Sequence, residues 1–123
     1  MSRYGIVIVS HVEELAFGIS RLLYEIAPKV SVTVAGGTDD KDVGTSFDKT
    51  LAAFECNEAE ELLCFYDLGS AKMTLEMVAE MSDKKARIYD TALIESAFTA
   101  ATLLGAEVSI EEIEKQLADL KIK

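Results

Sequence analysis

A chain of 123 residues, half of them hydrophobic, holds one domain around one core and is too short for two. Its formal net charge of −10 excludes the basic footprint that nucleic acid or an anionic membrane surface requires, and no apolar run approaches a membrane span. One histidine and two cysteines, Cys56 and Cys64, make neither a usual zinc site nor a disulfide framework.

The elements follow in chain order. Residues 4–9 are a short β-branched run without charge, which predicts a strand buried on both faces of a parallel sheet. From Val12 to Ala27, Leu15, Ile19, Leu22, Leu23 and Ile26 recur at helical spacing, and Pro28 stops that helix. The alternating stretch 29–35 predicts a second strand. A long Gly- and Asp-rich loop follows, and Thr45 or Ser46 caps a helix to about Phe54. A third strand is expected at 61–66, with Cys64 in the core. A turn at Asp67 to Ser70 leads to a helix through Met81; the plain structural alternative for these two residues is a turn begun by Asp67 and a helix capped by Ser70. Met73, Met77 and Met81 share one stripe of that helix and are expected in the core or at a dimer contact. "ARIYD" is a short fourth strand. A helix then runs to about Gly105, and a last one starts with a capping box of Ser109 and Glu112.

Strands alternating with helices predict an α/β fold: a mainly parallel four-stranded sheet with right-handed crossovers and helices on both faces. Ligands of such sheets bind beyond the carboxyl ends of the strands. His11 follows strand one, Gly36, Gly37 and Thr38 follow strand two, and Asp67, Gly69 and Ser70 follow strand three. All three groups are expected at that one edge.

That set of residues suits phosphoryl chemistry. A neutral imidazole nitrogen is a nucleophile, and it is poised when its other nitrogen donates to a carboxylate. His11 is the candidate phosphoryl acceptor and Asp67 the candidate that orients it. Gly-rich turns that open helices present N–H groups and a positive dipole end to a phosphate. Gly37, Thr38, Gly69 and Ser70 are the expected phosphate-side residues. No cofactor motif is present. Asp39, Asp40 and Asp42 lack the spacing and terminal glutamate of a calcium loop, so no metal site is expected. Each feature also has a plain structural use, as a strand end, a turn or a solvated acid, and it is their convergence that points to function.

At "VIVSH", at "AGGTDD" with the following "GTS", and at "DLGSA", the chain resembles the phosphocarrier subunits of phosphoenolpyruvate-dependent dihydroxyacetone kinases. Their IIA domain is similar to those of mannose-type sugar phosphotransferase systems. The resemblance covers essentially the whole chain, so residues 1–123 are expected to form a single IIA-like domain. It implies a phosphotransferase subunit without a cofactor of its own. Phosphoenolpyruvate, enzyme I and the small carrier HPr would charge His11, which would pass the phosphoryl group to ADP bound on a partner subunit. Asp67 would pair with the histidine, and Gly69 and Ser70 would supply donors to the phosphate. Members look like homodimers; the cytoplasmic location expected here comes from reading Cys56 and Cys64 as free thiols. Some continue into HPr-like and enzyme I-like domains; here those activities are expected on separate proteins. Mannose-type sugar carriers usually have a Trp-Gly-Gly form of the strand-three turn where this chain has "DLGSA".

Three alternatives remain open at this point: a mannose-type sugar carrier, a receiver domain phosphorylated on Asp67, and a non-catalytic flavodoxin-like binding or dimerisation module. A receiver needs an acidic pair after strand one, where this chain has Ser10 and His11.

Overall fold

The computed structural model describes residues 3–123. Four strands, β1 (Tyr4–Ser10), β2 (Val32–Gly36), β3 (Glu61–Tyr66) and β4 (Lys85–Tyr89), form one sheet in the order β2-β1-β3-β4. Every pairing is parallel, as expected. The connections carry α1 (Glu13–Ile26), α2 (Phe47–Cys56) and α3 (Gly69–Met81), and α4 (Leu93–Gly105) and α5 (Ile110–Ala118) close the chain. Among the described residues no helix is long and apolar enough to cross a membrane.

The unbroken apolar run of β1 has a direct cause. Successive side chains of a strand point to opposite faces, and both faces of this sheet are covered. Ile6 and Ile8 pack with Leu63 and Phe65 under α1, α4 and α5, through Ile19, Leu23, Ala97, Ala101 and Ile113. Val7 and Val9 pack with Leu62 and Cys64 under α2 and α3, through Phe54, Leu75 and Val78. β4, at the sheet's edge, holds Lys85 and Arg87 outward, and such charges oppose edge-to-edge pairing.

Two sequence expectations shift. β2 begins at Val32, not Lys29, because the chain first turns back after α1, with the Val30 N–H donating to the Ala27 carbonyl at 3.1 Å. The methionine stripe of α3 does not enter the core. Met73, Met77 and Met81 are 65%, 54% and 70% exposed, while Ala71, Leu75 and Val78 bury the opposite face. Ser46 caps α2 by accepting from the Lys49 N–H at 3.1 Å, and Ser109 caps α5 by accepting from the Glu112 N–H at 3.3 Å.

β1 and β2 end side by side, with Ser10 opposite Gly36. Glycine is required there by close approach. A Cβ on Gly36 would lie 2.7 Å from the Glu13 Cα and 2.9 Å from the Ala16 Cβ, both on α1. Gly36→Ala is therefore expected to push α1 from the sheet and destabilise the fold by about 1–3 kcal/mol, as overpacking does. Urea unfolding of the variant measures this. Gly37 follows with φ +73°, which turns the chain away from the sheet edge.

Candidate active site at the carboxyl edge of the sheet

β1 and β3 are adjacent, so their last residues deliver His11 and Asp67 to the same point. The Asp67 carboxylate is the hub. Its Oδ1 lies 2.9 Å from His11 Nδ1 and accepts from the Leu68 N–H at 2.7 Å. Its Oδ2 accepts from the His11 N–H and from the Ser10 hydroxyl, both at 2.9 Å. Ser10 is fully buried, and its Oγ also accepts from the Val12 N–H at 3.1 Å.

Burial pushes the Asp67 pKa up, but the hydrogen bonds from the His11 backbone, the His11 ring, Ser10 and Leu68 outweigh it and hold the pKa below the usual carboxylate value. Asp67 is thus ionised at neutral pH. An ionised carboxylate only accepts hydrogen bonds, so Nδ1 of His11 must carry a proton. In the neutral ring Nε2 then keeps its lone pair. It faces Ser70 Oγ at 2.6 Å, and in this tautomer the serine hydroxyl donates.

The His11 backbone is fixed from the other side as well. Its carbonyl accepts from the Gly44 N–H at 2.8 Å, which brings the loop between β2 and α2 over the site. Thr45 Oγ1 and Thr74 Oγ1, 3.0 Å apart, tie that loop to α3. The ring is held by the side chains of Asp67, just after β3, and Ser70 of α3, and the His11 backbone by an amide of a third segment.

The structure brings His11, Asp67 and Ser70 together and gives the remaining expected site residues different surroundings. The Gly37 N–H donates to the Ser10 carbonyl at 3.2 Å and the Thr38 N–H to the Asp42 carbonyl at 2.9 Å, so both amides are engaged within the loop. Gly69 opens α3, and the Ala71 N–H of that first turn donates to the Leu68 carbonyl at 2.9 Å. Ser70 is not the helix cap. The cap position is Leu68, whose side chain makes no capping bond, and Ser70 sits inside the helix bonded to His11. The sequence reading assigned no role to Ser10, although it stands directly before the histidine and its hydroxyl completes the hub.

A family model described as the PTS system fructose IIA component, EIIA-man, matches residues 5–114. The chain belongs to the EIIA-man family. Within it, the chain is 48% identical over 120 residues, covering 98% of both chains, to a Lactococcus lactis protein named "PTS-dependent dihydroxyacetone kinase, phosphotransferase subunit DhaM". It is 43% identical over 120 residues to a Listeria innocua protein named "PEP-dependent dihydroxyacetone kinase 1, phosphoryl donor subunit DhaM", covering 98% of this chain and 97% of that one. The crystal structure of unknown function protein EF1359 superposes with a TM-score of 0.84 at 26% identity, covering 100% of this chain and 98% of that one. The four-stranded parallel sheet with five helices accords with the EIIA-man fold.

Proposed function

We propose that this EIIA-man member is the phosphoryl donor subunit of a phosphoenolpyruvate-dependent dihydroxyacetone kinase, with His11 as the carrier. Phospho-HPr charges Nε2 of His11, and the phosphoryl group then passes to ADP held by a partner subunit. The observation that carries this reading is the ring's orientation, with Nδ1 tied to Asp67 at 2.9 Å and Nε2 directed away from it. The names of the relatives at 48% and 43% identity favour a kinase acceptor over a sugar.

The step balances without a proton donor. The Nε2 lone pair attacks phosphorus, an N–P bond forms, and the bond from phosphorus to the donor breaks. The ring becomes positively charged and keeps its Nδ1 proton, which the Asp67 carboxylate stabilises. In the second transfer an oxygen of the ADP β-phosphate attacks phosphorus, and the N–P electron pair returns to Nε2. Such transfers depend on positioning and charge stabilisation. Ser70 must release Nε2 and turn its hydroxyl to a phosphoryl oxygen, beside the Gly69 and Ser70 amides that open α3.

Transfer between proteins needs an open face. Leu68 is 60% exposed and Val43, in the loop that bonds His11, is 75% exposed; both suit contact with a partner. The reading includes a homodimer, for which the exposed methionine stripe offers an apolar face, and a cytoplasmic location. It treats residues 1–123 as one carrier domain.

The chemical test is the stability of the phosphorylated protein: a label lost in acid and retained in base marks phosphohistidine, whereas one lost in base as well marks an acyl phosphate on Asp67 and overturns the reading. Ser70→Ala is expected to accept phosphate but transfer it about tenfold more slowly, because one preorganised donor is lost. Single-turnover quench kinetics measure that change.

A further inference from the structure

A cation at the same edge has no part in the site described so far. After α5 the chain returns to the end of β4. Thr91 pairs with Lys121 in an antiparallel bridge, and the N–H groups of Ile122 and Lys123 donate to the Asp90 carbonyl at 3.2 and 3.3 Å. This places the Lys123 side chain across the carboxyl end of β3. Its Nζ donates to the Tyr66 carbonyl at 2.6 Å and lies 4.0 Å from the centre of the Tyr66 ring. Tyr66 is the residue directly before Asp67.

The neighbouring lysine is already neutralised. Lys72 Nζ bonds Asp90 at 3.0 Å, and the Tyr66 hydroxyl donates to the same carboxylate at 2.5 Å. Lys123 makes no ion pair among the described residues. An ammonium has three N–H donors. The Tyr66 carbonyl takes one, which leaves two.

We propose that Lys123 is a positioning and charge-compensating residue of the phosphoryl-transfer site, a proposal that rests on the reading of His11 as the carrier. A phosphoryl group brings a charge of roughly −1.5 to −2 next to an ionised Asp67. The protein as a whole carries a net −10, so its overall field does not offset that charge. Lys123 holds the end of β3 in place through Tyr66 and supplies a cation to the Asp67 side of the site. Burial against Tyr66 lowers the Lys123 pKa, and the charges of Asp67 and Asp90 oppose that fall. The ammonium sits on the carbonyl of the residue directly before Asp67, and it gains when the site becomes more negative.

The test compares wild type, Lys123→Met, Lys123→Arg and His11→Ala for phosphoryl uptake from phospho-HPr at saturating donor, with thermal unfolding of each. Lys123→Met is expected to remain folded, with a small fall in Tm from the lost Tyr66 contacts, and to take up phosphate roughly fivefold to tenfold more slowly, since a preorganised charge is lost. Lys123→Arg is expected to recover most of the rate. Wild-type uptake by Lys123→Met overturns the proposal, and so does an equal loss in Lys123→Arg accompanied by a lower Tm, which marks a packing role. No uptake by wild type from active phospho-HPr instead overturns the carrier reading on which the proposal rests.

Discussion

His11→Ala is expected to abolish phosphoryl acceptance while leaving a folded protein. The chain has no second histidine to replace Nε2, so the loss should be complete within the detection limit of intact-mass analysis. The fold survives because Asp67 keeps three of its four donors. The Ser10 hydroxyl, the Leu68 N–H and the backbone N–H of residue 11 all remain when the ring is removed. The half-buried carboxylate is therefore not stranded, and the lost ring contacts amount to about 1–2 kcal/mol, the net worth of one or two hydrogen bonds. Circular dichroism and urea unfolding on the same sample check the fold. A folded variant that still accepts phosphate at the wild-type rate would remove His11 from the mechanism.

Asp67→Asn is expected to slow acceptance by roughly 10²–10⁴-fold, the range over which tautomer and charge control act on a catalytic imidazole. Asp67 presents only acceptors to four donors, and an amide cannot do so. With its NH₂ towards the ring, it makes Nδ1 accept and puts the proton on Nε2, where the lone pair is needed. With its NH₂ the other way, it meets the His11 N–H that Oδ2 now satisfies. The substitution also changes the acid limb of stability. The folded-state pKa of Asp67 lies below its unfolded value of about 3.9. The carboxylate thus contributes stability that is fully present above that value and is lost as the pH falls through the folded pKa. Asp67→Asn should be less stable than wild type at pH 7, and the difference should shrink below pH 4. Urea midpoints across that interval check the sign, and a constant difference down to pH 2 would contradict it.

The architecture was legible because burial on both faces of the sheet leaves a strong trace. β1 and β3 are apolar along most of their length, and the five helices carry periodicity or caps. The site's two principal residues were legible for a topological reason: both end strands that this fold sets side by side. Other features were not legible because they depend on contacts rather than patterns. Leu15, Leu22 and Ile26 share the apolar spacing of Ile19 and Leu23, yet they are 40%, 42% and 38% exposed. Helical spacing does not say how far a neighbouring element extends. Ser70 stands where a helix cap is expected, and only the position of the His11 ring shows that its hydroxyl is used elsewhere. Gly37 and Thr38 have the residue types of a phosphate loop, but their amides bond within the loop that holds them. Lys123 lies in a short tail without periodicity, held by one antiparallel bridge to a residue thirty positions earlier in the chain.

The most direct measurement of the central claim is intact-protein mass spectrometry after incubation with phosphoenolpyruvate, enzyme I and HPr, on wild type and His11→Ala, followed by addition of the ADP-loaded partner subunit. The expected result is a single phosphoryl adduct on wild type, none on His11→Ala, and loss of the adduct only when the partner is added. An adduct on His11→Ala, or no adduct on wild type with active donors, would contradict the assignment of His11 as the carrier.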